Sequence, residues 1–305
     1  MHTLLAMDGD HVWCPSVVQW AGRWWLFHSR WPVRLGFEAW VTHSTIAVAV
    51  GDRPEGPYTN VHEVLPGSGS GWDADVTHNP CVVVHGGRLW LAYMGNYGPA
   101  PRHAVATSEQ WWTHRNHQCI GLAWATDPRG PWHRSSQPLI APASVPWPSL
   151  MASNPALAIS PDGSLRMIYK SVAHGPLPFG GEVRHVVAEA SHPDGPWTHL
   201  PHAVLTAPGS SFAAEDPYLW HADGQWHLIA KDMKGVFTGI GTSIARFVSA
   251  DGRDWQLASP SLVTGLKQGE VMFDRLERPS VVAGRWLVCA ALREGRTSIV
   301  AIPWQ

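Results

Sequence analysis

The chain is 305 residues long and carries 22 Lys plus Arg against 24 Asp plus Glu, a formal net charge of −2 at pH 7. That length suits one large all-β domain as readily as two smaller ones, and without a basic run or stripe the electrostatic footprint of a nucleic-acid binder is missing. No apolar stretch approaches the roughly 20 residues of a membrane-spanning helix, so a soluble protein is expected, with neither nucleic acid nor membrane as a partner.

From the start, Met1 to Asp8 show no basic n-region and no apolar core long enough for a secretory signal. The reading is a cytoplasmic protein, or an exported one whose leader has been removed. Cys14, Cys81, Cys119 and Cys289 lie far apart without metal-type spacing, which points to reduced and mostly buried thiols. Charged residues make up 15% where about 25% is usual, while 29 Gly, 26 Pro and 19 Trp run high. Many short strands, many turns and aromatic packing follow.

In chain order, five hairpins share one pattern: a proline, a short apolar run, a Gly-containing turn and a second aromatic-rich run. They start at Pro15, Pro80, Pro155, Pro217 and Pro279, with turns at Gly22, Gly87, Gly163, Gly224 and Gly284. The prolines recur every 60 to 75 residues or so, a period that means repeated structure. Between hairpins stands a further strand closed by a tight turn: Ile46 to Val50 before Pro54-Glu55-Gly56-Pro57, Gly121 to Ala125 before Pro128-Arg129-Gly130-Pro131, and Val186 to Ala190 before Pro193-Asp194-Gly195-Pro196. The fourth copy, Ala245 to Ser249, leads instead into Asp251-Gly252-Arg253-Asp254. Proline presets φ at the first corner and glycine accepts positive φ at a later one.

Each repeat therefore supplies about four strands, and four-stranded units set in a ring are the blades of a β-propeller. The expectation is an all-β fold, residues 1–305 forming a single domain of five four-stranded antiparallel blades. The fifth repeat ends early, with Thr297 to Pro303 as its third strand, so a strand near Thr3 to Met7 is expected to complete it and close the ring. No segment of ten residues has convincing helical periodicity. The insertion between Gly98 and Cys119, with Trp111-Trp112, reads as an exposed loop that could serve as a lid or a subunit contact in a homo-oligomer.

In such a ring the innermost strands run beside the axis, bringing equivalent positions to one height. The residues before the five prolines are Cys14, Asn79, Asn154, Asp216 and Arg278; one step earlier stand Trp13, His78, Ser153, Glu215 and Glu277. Buried strand starts would ordinarily be Val, Ile or Leu, so this polar set marks a site for a polar ligand at the channel mouth.

Ala214-Glu215-Asp216-Pro217-Tyr218 in the fourth repeat, on proline-anchored blades spanning nearly the whole chain, resembles the five-bladed propeller glycosidases of glycoside hydrolase families 43 and 117. The blocks Gly36-Phe37-Glu38-Ala39-Trp40, Thr77-His78-Asn79-Pro80, Lys231-Asp232-Met233 and Leu276-Glu277-Arg278-Pro279 resemble those of a divergent branch. The resemblance implies a general-acid role for Glu215. It also implies aspartates before the first and third anchoring prolines, where this chain has Cys14 and Asn154.

Glycoside cleavage needs one carboxylic acid to protonate the leaving oxygen and a second carboxylate to activate water or attack carbon. Glu215 is the expected acid, its pKa held up by the like charges of Asp216 and Glu277. For the second carboxylate Asp73 is favoured over Asp10, with Glu38 in a nearby loop, although a turn cap explains Asp73 or Asp10 as readily. His78 is a candidate proton donor or hydroxyl contact, since its ordinary pKa lies near neutrality. Lys170, Lys231 and Arg278 suit hydroxyl, carboxylate or sulfate groups on a sugar, together with Asn79, Asn154, Asp216 and Glu277. Trp13, Trp31, Trp40 and Trp72 are the stacking candidates, whereas Trp24, Trp90, Trp226 and Trp286 recur at one repeat position and read as core. No cofactor and no metal-ligand spacing is read, with a structural calcium on the axis kept as an option. The expected function is a glycoside hydrolase acting on a terminal sugar of an oligo- or polysaccharide by general acid/base chemistry. Alternatives are a non-catalytic sugar-binding propeller and a glycoside phosphorylase.

Overall fold

The computed structural model describes residues 1–99 and 104–304. Five four-stranded antiparallel sheets follow one another along the chain. Their innermost strands are Asp10–Trp20, Val76–His85, Ser149–Ile159, Ala214–Ala222 and Arg275–Val282. Four sheets run outward in sequence order; in the fifth, Arg275–Val282 is followed by Trp286–Arg293 and Arg296–Pro303, and His2–Leu5 supplies the outermost strand. The expected closure is thereby met, His2 pairing with Ala301 and Thr3 with Val300. Tyr58 N donates to Leu4 O at 3.1 Å, tying blade one to the same strand.

Apolar side chains alternate along these strands and fill the wedges between neighbouring blades rather than one central core. Ile46, Val48, Leu89, Leu91 and Tyr93 fill the first wedge, Trp90, Leu122, Met167 and Tyr169 the second, Ile168, Val187, Leu219 and Leu228 the third. Ile229, Ile244, Leu287 and Val300 fill the fourth, and Leu4, Leu26, Val288 and Ala301 the last. Trp90 and Trp226 are buried as expected, while Trp24 and Trp286 are half-buried at the wedge margins.

The recurrent tight turns share a further device. Tyr58 Oη donates to Pro54 O at 2.9 Å, and Trp132 and Trp197 Nε1 donate to Pro128 and Pro193 O at 3.2 and 3.0 Å. In the fourth blade, where the turn lacks prolines, Asp251 accepts from the backbone N–H of Arg253 and Asp254 instead, and the buried Trp255 Nε1 is left without a partner among the described residues.

Every innermost strand is broken at the same place, its register shifting around the anchoring proline. Proline offers no N–H to the ladder and crowds the residue before it, so the strand bulges there. The residue before each proline adopts a left-handed conformation: Cys14, Asn79, Asn154, Asp216 and Arg278 have φ of 54, 54, 52, 55 and 53°. The bulge turns these five side chains toward the axis.

Among the described residues two α-helices interrupt the β pattern. A short one, α1, spans Trp40–His43; the other, α2, spans Ser108–Asn116 and replaces the exposed loop expected around Trp111-Trp112. Thr107 and Gln110 form a reciprocal capping box at its start. Its sequence has polar residues on every side, which is why helical periodicity does not reveal it. Residues 100–103 of that insertion lie outside those described.

Candidate active site

The five bulged residues are joined side chain to side chain. Cys14 Sγ donates to Asn79 Oδ1 (3.0 Å), Asn79 Nδ2 to Asn154 Oδ1 (2.7 Å), and Asn154 Nδ2 to Asp216 Oδ1 (2.8 Å). Arg278 Nη1 reaches the same Asp216 oxygen at 2.9 Å. Side chains from five blades thus make one hydrogen-bonded chain across the axis. It floors a cavity of about 550 Å³, where burial would otherwise leave each polar group costly.

One step up, two ion pairs cross between blades. Lys170 lies opposite Ser153 in blade three and donates to Glu215 of blade four at 2.6 Å. Lys231 lies opposite Glu215 and donates to Glu277 of blade five at 2.5 Å. The two glutamates nonetheless move in opposite directions. Burial alone would raise Glu215, but the Lys170 ammonium and its hydrogen bond, aided by Lys231 and His185, bring it down to about 2. Burial also raises Glu277, and there Lys231 is opposed by the negative charges of Asp216 and Glu215, so the carboxyl stays above its ordinary value. The elevation expected for Glu215 is instead found on Glu277, from burial first and then the like charges of Asp216 and Glu215, while Glu215 is lowered.

Burial, reinforced by the positive charge of Arg278, holds His78 well below its ordinary pKa, so it is a neutral imidazole rather than a group titrating near neutrality. Its ring stacks on Trp40 (4.9 Å), Ser44 Oγ lies 2.7 Å from Nδ1, and Cys14 Sγ lies 3.4 Å from Nε2. Burial pushes the Cys14 thiol up to about 12, with Arg278 opposing, so sulfur remains protonated.

Ten of the expected site residues line this cavity: Trp13, His78, Asn79, Asn154, Lys170, Glu215, Asp216, Lys231, Glu277 and Arg278. Four do not. Asp73 is buried in the wedge between blades one and two, accepting from Ser68 Oγ (2.6 Å), Tyr93 Oη (2.9 Å) and Arg134 Nη1 (2.9 Å), a structural tie rather than a free base. Trp72 stacks on Tyr93 (5.5 Å) behind it and offers no face to the funnel. Asp10 opens onto a different depression beside His11 and sits 3.5 Å from Arg30. Glu38 stands exposed outside the cavity, 3.3 Å from Arg275. Of the other stacking candidates, Trp31 is buried and Trp40 lines the wall.

Sequence reasoning missed the wall supplied by α2 and the residues after it: Trp111, Trp112, Arg115 and Gln118 face the cavity. Trp111 Nε1 donates to Glu38 O at 2.9 Å and its ring meets Trp40 edge-on, fixing the helix against blade one. The signal available was Thr107-Ser108-Glu109-Gln110, a capping-box pattern that announces a helix start. Among the described residues no cluster of His, Cys, Asp and Glu could hold a metal ion.

No known family profile matches the sequence, and no curated protein sequence does. Solved structures match it throughout. A complex of BT0996 with RGII superposes with a TM-score of 0.77 at 14% identity, covering 99% of this protein and 90% of that one. A family 117 glycoside hydrolase from the marine bacterium Zobellia galactanivorans gives 0.65 at 14% identity, covering 98% and 89%. A GH43_1 enzyme from Xanthomonas citri complexed with xylose gives 0.62 at 13% identity, covering 99% and 89%. The likeness is one of fold: this protein has the five-bladed architecture of family 43 and family 117 glycoside hydrolases over its full length.

Proposed function

We propose that the chain acts as one five-bladed domain and that its funnel cleaves a terminal glycosidic bond of an oligo- or polysaccharide. One observation carries this reading: Glu215 and Glu277, from consecutive blades, enter one cavity with their pKa values pushed in opposite directions. Such a pair divides naturally into acid and carboxylate. Glu277, the carboxyl whose pKa is raised, is the one suited to deliver a proton to the leaving glycosidic oxygen; Glu215, whose pKa is lowered, stabilises the oxocarbenium-like carbon and either activates water or attacks. The resemblance implies the proton donor at Glu215; the electrostatics favour the exchanged assignment. Trp13, Trp40 and Trp111 offer aromatic surface to sugar faces. Similarly folded proteins described with xylose or RGII support a saccharide as ligand.

Glu277→Gln and Glu215→Gln, assayed on natural oligosaccharides and on p-nitrophenyl glycosides, test the assignment. Glu277→Gln is expected to lose about 10²- to 10⁴-fold on natural substrates and far less on the activated ones, whose leaving group needs no proton. Glu215→Gln is expected to lose on both. The reverse pattern returns the donor role to Glu215. A wild-type protein that binds oligosaccharides without cleaving any favours a sugar-binding propeller, a reading supported by Cys14 and Asn154 standing where the resemblance implies aspartates. Turnover that requires orthophosphate identifies a phosphorylase.

A further inference from the structure

Three cations of the funnel each have a carboxyl partner in place: Lys170 at Glu215, Lys231 at Glu277 and Arg278 at Asp216. A fourth, Arg275, pairs with Glu38. Arg115 differs. At the end of α2 its Nη1 donates to Asn116 Oδ1 (2.9 Å) and to the backbone oxygen of Phe179 (3.0 Å), while Trp112 lies beneath the guanidinium at 5.6 Å. These contacts anchor one corner and leave the edge formed by Nε and Nη2 without a partner among the described residues. No carboxylate forms an ion pair with it there, although the group lines the cavity and burial pushes its pKa down, Glu215 opposing from a distance. A guanidinium edge that lines the cavity without a carboxylate partner is open to an anionic group of a ligand.

A second donor on the same stretch is also unsatisfied. Gln118, only 2% exposed, lines the cavity, and its Nε2 is buried with no hydrogen-bond partner among the described residues. Its backbone is held by Ala152 N donating to Gln118 O at 3.1 Å, so the side chain is presented from a fixed strand start. A planar fork beside an amide donor matches a planar acceptor with two oxygens.

We infer that the α2 wall is a subsite for the carboxylate of a uronic-acid residue, so that the saccharide taken by this funnel is an acidic one. Arg115 grips both carboxylate oxygens through Nε and Nη2, and the unsatisfied Gln118 amide, on rotating its Nε2 toward the cavity, completes one of them. A neutral sugar supplies no charge to the Arg115 fork and so forgoes the charge-assisted hydrogen bonds that an acidic one makes, which is how such a site discriminates. The inference rests on the reading of the funnel as a saccharide site but not on cleavage.

Calorimetric titration tests it with digalacturonic acid, its dimethyl ester and inorganic phosphate, on wild type, Arg115→Met, Arg115→Lys and Gln118→Leu. In wild type the acid is expected to bind at least tenfold more tightly than the ester, which has the same outline without the charge. The preference should vanish in Arg115→Met, return in part in Arg115→Lys, which restores charge without the fork, and weaken in Gln118→Leu. Circular dichroism and melting of each variant separate lost binding from lost folding, and the lysine variant serves if the methionine one fails to fold. Equal affinity for acid and ester, a preference that survives Arg115→Met, or tighter binding of phosphate than of the uronate overturns the inference. Hydrolysis followed in parallel keeps the two readings apart. An acid preference without turnover sinks the hydrolase alone, and turnover of neutral sugars with no acid preference sinks the uronate subsite alone.

Discussion

Lys170 sets the behaviour of the residue it touches. It is the largest influence drawing Glu215 below the usual carboxylate range, and burial acts the other way. Lys170→Met removes the counterion and leaves burial opposed only by more remote charges, so the Glu215 pKa rises from about 2. In the wild type, activity should persist on the acid side almost down to that value and fall on the alkaline side as Glu277 ionises. In the variant the acid limb should move up while the alkaline limb, set by Glu277, moves much less. A pH–rate profile of both proteins checks this; an unchanged acid limb removes Glu215 from the mechanism. At this scale the ring residues were legible, because a polar residue before an anchoring proline is conspicuous on a strand that should start with Val or Ile. Asp73 was not, since nothing in Gly71-Trp72-Asp73 distinguishes an aspartate facing the funnel from one aimed into a wedge. Arg115 was hidden for the opposite reason, lying in a polar segment that reads as a solvated face.

Among the elements, the contact of blade two with the turn before it shows how tightly the wedges are filled. Gly121 pairs with Tyr93, and a β-carbon added there would come within 2.6 Å of Trp72 Cζ2 and 2.9 Å of Tyr93 Cζ. Both rings are stacked on each other and neither can swing away. Gly121→Ala should therefore destabilise by about 1–3 kcal/mol through overpacking, seen as a lowered melting temperature with the catalytic pH profile unchanged in shape; full stability would show that Trp72 is loosely held. Strands and turns were legible because proline, glycine and alternating apolar residues each leave a local mark. The α2 wall was legible only through its cap, since its stability comes from contacts with blade one, such as Trp111 to Glu38, that no local pattern encodes.

Across the whole molecule, closure depends on a four-residue strand. His2–Leu5 supplies the outer edge of blade five, and Leu4 and Leu5 are buried in the last wedge. Removing residues 1–5 would strip the partner from Arg296–Pro303 and open that wedge. The truncated protein is expected to melt many degrees lower and to associate through the bared strand edge, measured by calorimetry and light scattering; unchanged melting would mean the ring is held without this closure. The architecture was readable because a repeat with a missing last strand at one end and a spare strand at the other has one economical solution.

The left-handed residues before the five prolines carry a consequence for what this scaffold can become. A thiol, two amides, a carboxylate and a guanidinium occupy the same backbone setting at Cys14, Asn79, Asn154, Asp216 and Arg278, so the mount does not dictate the group it carries. The cost of the conformation falls on the backbone, is smallest for glycine, asparagine and aspartate, and is largest for β-branched side chains, none of which stands at these five positions. Chemistry at the bottom of the funnel is in this sense modular: reagents can be exchanged one blade at a time while folding information stays in the wedges. The neighbours' hydrogen bonds, rather than the fold, decide which combination is tolerated.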